Sequence, residues 1–130
     1  MPNRSSTRAN GFGSELADVP VDHRRDLFGG KGSVSVADLL RGVAAPPFSA
    51  VLACELAPGG TVGTHHQQRD PELVICLAGH GVVTVEGVER AMHPGSVAFL
   101  PFGHSLALRN DSADEPLRYL IIKAQVAIGP

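Results

Sequence analysis

Four polar side chains in the middle of the chain are of the types that bind metals or transfer protons: His65, Gln67, Glu72 and His104. Imidazole and carboxylate groups coordinate divalent transition metals, and they are also frequent general acids and bases. A carboxylate in an apolar interior without a cation has a raised pKa, which suits it to proton transfer near neutral pH. These residue types therefore predict a metal site, a metal-free acid–base site, or a hydrogen-bonded polar network with bound water.

The elements that must position these side chains are short strands. Clusters of Pro and Gly interrupt the sequence repeatedly, and the apolar runs between them have the spacing of strands joined by tight turns. The predicted strands are Val34–Leu40, Phe48–Leu56, Glu72–Ala78, Val82–Glu86, Ser96–Leu100, Ser105–Arg109 and Leu117–Lys123. Gly87 supplies the positive φ of a hairpin turn. The whole pattern predicts an all-β sandwich or small barrel.

Composition and charge limit the class of protein. A length of 130 residues, with 43% hydrophobic and 18% charged residues, is ordinary for one globular domain. Residues 1–14 are polar and predict a flexible tail before a domain at 15–130. A net charge of −2 without a basic stripe predicts no nucleic-acid partner. No apolar run is long enough for a bilayer, and no apolar segment follows Met1–Arg8, which together predict a cytoplasmic protein without a membrane partner.

Two segments carry recognisable spacings. Residues 59–79 contain Gly59, His65, Gln67, Glu72 and Gly79 in that order, and residues 95–110 contain Gly95, Pro101, Gly103, Leu106 and Asn110. The two segments resemble the two signature motifs of the cupin family, and the framework Gly and Pro positions are all kept. The resemblance implies a single-domain double-stranded β-helix, the jelly-roll barrel of cupins.

The resemblance also implies a metal site, with departures from the family's ligand set. Cupins usually hold one divalent metal with two His and one Glu of the first motif and one His of the second. Here His65, Gln67 and Glu72 occupy the first three positions, and Leu106 stands at the fourth. His104 replaces the missing ligand if a bulge precedes it. The implied cofactor is one Fe, Mn, Ni or Zn ion held by His65, Gln67, Glu72 and His104, and the implied catalytic residues are Glu72 and His104.

The first motif can be counted in two frames. Counting from the next glycine places His66 and Gln68 at the ligand positions instead of His65 and Gln67. Successive side chains of a strand point to opposite faces, so only one frame points into the barrel. We prefer His65 and Gln67, because the turn at 58–60 then leads into the strand at the family's usual offset.

The resemblance leaves three functions open. The first is a metal-assisted enzyme of the oxygenase, isomerase or lyase type, acting on a small molecule in the barrel lumen. The second is a metal-free cupin that uses Glu72 and a histidine for acid–base isomerisation or cyclisation, and the third is a non-catalytic module that binds a small ligand. An apolar wall predicts a hydrophobic or aromatic ligand, with the wall residues Val74, Cys76, Phe99, Phe102, Leu106 and Leu108. Exposed sheet edges and faces predict a homodimer.

Overall fold

The computed structural model describes residues 15–66 and 69–125, so the tail at 1–14, Gln67 and Gln68, and residues 126–130 lie outside the described part. The described part holds ten strands, two short 3₁₀ turns and no α-helix. The strands are β1 (Val21–Arg25), β2 (Ser33–Asp38), β3 (Phe48–Leu56), β4 (Thr61–His66), β5 (Glu72–Ala78), β6 (Gly81–Val85), β7 (Val88–Met92), β8 (Val97–Leu100), β9 (Ser105–Asn110) and β10 (Leu117–Ala124). The 3₁₀ turns are Leu16–Asp18 and Leu27–Gly29. No helix in residues 15–66 and 69–125 is long and apolar enough to cross a membrane.

The strands form two antiparallel sheets that pack face to face. The six-stranded sheet has the order β1-β2-β3-β10-β5-β8, and the four-stranded sheet has the order β4-β9-β6-β7. Each of the two motif segments contributes one strand to each sheet, namely β4 and β5 for the first and β8 and β9 for the second. The predicted all-β jelly-roll barrel is confirmed, and the seven predicted strands are all present.

Apolar side chains fill the space between the sheets. Since side chains alternate along a strand, every strand gives one set of residues to the interior and the other to the outside. On β5, Val74 and Cys76 are buried in the interior, whereas Leu77 is exposed on the outside. The interior cluster consists of Val34, Val36, Cys54, Leu56, Val62, Val74, Cys76, Val83, Met92, Leu100, Leu106, Leu108, Leu117 and Tyr119. Both cysteines in this cluster are free thiols.

Two of the predicted wall residues lie outside the barrel. Phe99 is 58% exposed and Phe102 is 60% exposed. Phe99 points away from the interior because it alternates with Ala98 and Leu100, which pack against the core. Phe102 lies in the turn after β8. The prediction of wall residues was wrong at these two positions, while the other four predicted wall residues are buried: Val74, Cys76, Leu106 and Leu108.

A two-residue turn closes the hairpin of β6 and β7. Glu86 and Gly87 both have positive φ, at 50° and 75°. Two successive positive φ angles are the mark of the type I′ turn, whose twist matches that of the strands it joins. The hairpin predicted around Gly87 is therefore present.

The buried side chain of Asn110 ties the end of β9 to the chain around it. Its Nδ2 group donates hydrogen bonds to the carbonyl oxygens of Leu56, Ala57 and Glu115, at 3.1, 3.2 and 2.8 Å. Its Oδ1 accepts a hydrogen bond from the backbone N–H of Ser112 at 2.9 Å. Asn110 therefore has a structural role at this motif position, where an amide satisfies backbone groups that the turn leaves unpaired.

Candidate functional site

Glu72 is the one buried acidic side chain in the described part of the chain. It begins β5, its side chain is 1% exposed, and it stands in register with Lys123 of β10. Lys123 Nζ lies 3.7 Å from Glu72 Oε1. Burial raises the pKa of Glu72, and the positive charge of Lys123 opposes that rise. The centre of the site is thus a buried carboxylate beside an ammonium group.

Lys123 is a site residue that the sequence reasoning missed. The residues of β10 that face the interior are Leu117, Tyr119 and Ile121, and the same alternation then places Lys123 on the inner side. Its side chain is 33% exposed, so the ammonium group reaches both the buried carboxylate and the surrounding water. A lysine that ends an inward apolar series is the sequence signal that could have revealed it.

His65 lies on β4, in register with Leu106 of β9. Its side chain is half-buried, whereas that of His66 is exposed. His65 Nδ1 donates a long hydrogen bond of 3.4 Å to the carbonyl oxygen of Gly63, which leaves Nε2 with its lone pair. Burial lowers the pKa of His65, and the charge of Lys123 adds to this effect against the opposing hydrogen bond to Gly63. The imidazole is therefore neutral at pH 7, and the Lys123 charge acts on both His65 and Glu72.

Phe28 is a second missed residue, and it covers His65. The two rings stack with their centroids 4.2 Å apart and their planes at 19°. The turn that carries Phe28 packs directly on β4 because Gly63 has no side chain, and a Cβ atom there would overlap the Phe28 carbonyl oxygen. A glycine inside a strand, here two residues before His65 on β4, indicates a close approach of this kind.

His104 lies directly before β9 and does not join the other polar side chains. Its side chain is 45% exposed, and its Nδ1 is 3.9 Å from Oε1 of Glu86 in the hairpin turn. Leu106, two residues later, faces the interior and is 1% exposed. Within residues 15–66 and 69–125, no group of three or more His, Cys, Asp or Glu side chains is placed to hold a metal ion. The structure brings Glu72 and Lys123 together, and His104 pairs with Glu86 instead.

Gln67 lies outside the described residues, so its assignment as a ligand stays a prediction.

Residues 52–123, just over half of the chain, match the family model of the cupin domain. The chain belongs to the cupin family. The predicted family is therefore confirmed, together with the barrel that it implies.

Individual cupins are similar to this one over most of their length. An oxalate-binding protein of Thermotoga maritima is 28% identical over 107 residues, which cover 82% of this chain and 88% of that protein. The crystal structure of a protein described as a predicted oxalate decarboxylase, also of Thermotoga maritima, has a TM-score of 0.79 at 22% identity and covers 88% of this chain and 100% of its own. The polyketide cyclase RemF of Streptomyces resistomycificus has a TM-score of 0.68 at 17% identity, with 91% and 87% covered. At these identities the structural likeness shows the cupin fold alone.

The described donors of this cupin do not fit the family's divalent metal. Leu106 has no donor atom where the second motif usually provides an imidazole. The Glu72 carboxylate stands beside the Lys123 ammonium group, whose charge repels a second cation. His65 then remains as the one imidazole at a motif position, whereas a tetrahedral catalytic site takes about three protein ligands. The described residues form a charge-compensated polar pair with a neutral imidazole close to its cation.

Proposed function

We propose that this cupin binds one small organic acid or carbonyl compound at the polar end of the barrel, at Lys123, Glu72 and His65. The observation that carries the proposal is the Glu72 carboxylate, 1% exposed in an otherwise apolar interior, beside an ammonium group that reaches water. An apolar enclosure with a few converging polar groups is typical of small-ligand sites. Lys123 has three N–H donors, which is more than Glu72 uses, and His65 Nε2 offers an acceptor.

The packing of the barrel favours a small, oxygen-bearing ligand. Leu106, in register with His65, is almost completely buried by its neighbours, and Phe99 and Phe102 point away from the interior. This arrangement gives a large aromatic ligand little wall to stack on, in contrast to the hydrophobic or aromatic ligand expected from the sequence. Carboxylate and carbonyl oxygens are suitable acceptors for Lys123. The similar protein of Thermotoga maritima is named for oxalate, which is a ligand of this class.

A second candidate function is proton transfer on that ligand without a metal. Burial raises the pKa of Glu72 and lowers the pKa of His65. A carboxyl group with a raised pKa keeps its proton closer to neutral pH, and a neutral imidazole can accept a proton. Glu72 is then the proton donor when protonated, and His65 Nε2 is the acceptor. This pair suits isomerisation or cyclisation of a carbonyl compound.

The metal-assisted enzyme is the alternative to both. It requires Gln67 and His104 to complete the ligand set, and it requires Lys123 to move away from Glu72. Elemental mass spectrometry of protein purified without an affinity tag measures the metal content directly. About one equivalent of Fe, Mn, Ni or Zn that disappears in His65→Ala and in Glu72→Ala supports this alternative.

Oxalate binding by EDTA-treated protein, measured by isothermal titration calorimetry, tests the proposed site. We expect saturable binding that is lost in Lys123→Met, because the ammonium group is the cation that meets the ligand. Arg118→Met is the matched control, since it removes a positive charge from the outer side of the same strand. Binding that appears only after a divalent metal is restored supports the metal-assisted alternative. Absence of oxalate binding in both states, together with a similar result for acetate and pyruvate, contradicts the proposed ligand class.

We also propose that two copies of the chain pair through the outer face of the six-stranded sheet. On β10, β5 and β8 this face is continuous and apolar, and its residues are Leu73, Ile75, Leu77, Val97, Phe99, Leu120 and Ile122. A concavity of about 410 Å³ opens on the same sheet. Glu55 and Arg118 line the concavity and form an ion pair of 3.0 Å. Because both charge signs stand on one face, the face is complementary to its own copy about a two-fold axis.

Sedimentation equilibrium of Phe99→Asp tests this dimer. We expect the wild-type protein to have the mass of two chains and the variant to have the mass of one, because the new carboxylate must lose its water at the interface. Phe102→Asp is the matched control, since Phe102 is equally exposed but lies in a turn. A monomeric wild type, or dissociation by both variants, contradicts the assignment of this face.

A further inference from the structure

We propose a second ligand site, for a small carboxylate with an apolar body, in a cavity between strands β7 and β8. Strand β7 is an edge strand of the four-stranded sheet, and β8 is an edge strand of the six-stranded sheet. The turn at 93–96 joins them. The cavity has a volume of about 310 Å³. Small-molecule sites begin at roughly this size. Val74 is also a predicted wall residue of the barrel lumen, whereas Arg90, Met92 and Ala98 belong to this cavity alone, so variants of Arg90 and Ala98 test it separately from the proposed function.

The floor of the cavity is apolar and belongs to the barrel core. Val74, Val83 and Met92 line it, and each is at most 4% exposed. Ala98 of β8 lines the opposite side, in register with Val74. The small Ala98 side chain leaves the space open, and a flexible methionine adapts to the shape of a ligand. An apolar group of modest size is what such a floor accepts.

Arg90 stands over this floor from the inner side of β7. Arg90 lies two residues before the buried Met92, so the two side chains point to the same face of β7. It pairs in register with Val83 of β6. Alternation therefore places its side chain on the face that carries apolar residues elsewhere in the sheet. Arg90 is itself exposed, so its hydrated guanidinium group stands at the rim of the cavity, where it can meet an anion that enters.

No described residue supplies that anion. Arg90 forms no ion pair with any side chain in residues 15–66 and 69–125, and among the described arginines without an ion pair it is the one that lines the cavity. The fork of a guanidinium group matches the two oxygens of a carboxylate. The one uncompensated charge over an apolar floor thus specifies a monoanion whose carboxylate meets Arg90 and whose body enters the cavity.

Ser96 and His93 add polar groups at the rim. The Ser96 hydroxyl oxygen accepts a hydrogen bond from the backbone N–H of His93 at 3.0 Å, which fixes the hydroxyl beside the cavity. Its own proton stays available for a ligand oxygen. A carboxylate at Arg90 therefore has a second donor nearby.

Benzoate is the probe for the test, with benzamide and acetate as comparators. Benzamide keeps the apolar ring without the charge, and acetate keeps the charge without the ring. Binding is followed by ¹H–¹⁵N NMR titration of the full chain, which also locates the site. We expect saturable benzoate-dependent shifts centred on the amides of Val83, Arg90 to His93 and Ser96 to Ala98. Both comparators should bind at least tenfold more weakly than benzoate. Benzamide cannot form the ion pair with Arg90, and acetate has no ring to fill the apolar cavity.

Two variants measure separately what the Arg90 charge and the open space beside Ala98 contribute to benzoate binding. Arg90→Gln should weaken benzoate binding at least tenfold, and Ala98→Leu should weaken it similarly by filling the space while keeping the charge. Arg25→Gln is the matched control, since Arg25 is an exposed arginine of β1 outside the cavity, and it should leave binding unchanged. Chemical-shift dispersion of each variant shows that it is folded.

Four results would overturn the proposal. They are the absence of saturable shifts with benzoate, equal binding of benzoate and benzamide, an unchanged affinity in Arg90→Gln, and an equal loss in Arg25→Gln. Shifts centred instead on His65 and Glu72 would also contradict it, and they would assign the carboxylate to the other site.

Discussion

Strand β10 contributes one ion pair to each face of the six-stranded sheet, and the two pairs differ in almost every respect. On the inner face, Lys123 meets Glu72, whose side chain is 1% exposed. On the outer face, Arg118 meets Glu55 at 3.0 Å, with the two side chains 61% and 39% exposed. Glu72 of the inner pair is buried beside apolar core residues, and the outer pair borders an apolar surface that reaches the solvent.

The difference between the two ion pairs concerns how much each one contributes to the stability of the fold. An exposed pair contributes about 0 to 1 kcal/mol, because water already solvates both of its charges. A buried pair costs several kcal/mol of desolvation per ion in exchange for its attraction, and apolar residues often replace such pairs without loss. Glu72 and Lys123 are therefore difficult to explain by stability, and a ligand that uses them is the simpler reason. The outer face shows the reverse case, in which apolar residues stand where the surface of a monomer usually presents polar ones to water.

The largest expected effect contrasts two neighbours on β8. Leu100 is completely buried on the inner face and Phe99 is 58% exposed on the outer face. Leu100→Ala should lower the free energy of unfolding by about 4 kcal/mol, since it leaves a cavity in the core. Phe99→Ala should lower it by less than about 1 kcal/mol at dilutions where the chain is monomeric. Urea denaturation measures both, and equal losses would mean that the two faces are packed alike.

The next effect compares the two ion pairs directly. Lys123→Met should cost about 3 kcal/mol at pH 7, because it removes the cation beside a buried carboxylate. Arg118→Met should cost less than about 1 kcal/mol at dilutions where the chain is monomeric, because both groups of that pair are then exposed. Both substitutions keep an unbranched side chain of similar length. Urea denaturation under identical conditions gives the two values, and a Lys123→Met cost as small as that of Arg118→Met would contradict the assignment of Lys123 to the site.

Much of this fold could be predicted from the sequence, because breakers and apolar runs define the strands locally. Strand β1 was missed, since all five of its residues are exposed and their sequence has no alternation. It forms by pairing with β2 in register, which is information that its own residues do not carry. Phe99 was misplaced for a related reason, because an apolar residue on a strand does not reveal which face it occupies.

Only part of the site could be predicted. The spacing between Gly59 and Gly79 identified His65 and Glu72, because both belong to one continuous segment. Lys123 and Phe28 lie far from that segment in sequence, and only the sheet register and the close approach at Gly63 bring them to it. A positive charge beside a carboxylate changes the chemistry of a site as much as a metal-coordinating residue does. Whether the described residues fit a metal ion therefore depends on Lys123, which lies outside both motifs.

The smallest effect is a pH dependence, and its sign is fixed by burial. The folded-state pKa of Glu72 lies above the ordinary value of 4.5, so the folded protein retains this proton at pH values where the unfolded chain has lost it. The free energy of unfolding therefore falls as pH rises from 4.5 to the folded-state pKa of Glu72. Glu72→Gln mimics the protonated form and should remove this fall, so that the variant matches the wild type near pH 4 and is more stable at pH 8.

The double variant Glu72→Gln with Lys123→Met completes the measurement. Once residue 72 is neutral, Lys123→Met no longer leaves a buried charge, so its cost at pH 8 should shrink to about that of an exposed substitution, roughly 0.5 kcal/mol. Urea denaturation of the four proteins between pH 4 and pH 8 gives the coupling free energy as a function of pH. That coupling should be small at pH 4, where Glu72 is protonated, and should grow as the carboxylate ionises. A coupling that does not change with pH would show that Lys123 acts through packing, and the inner pair would then resemble the outer one.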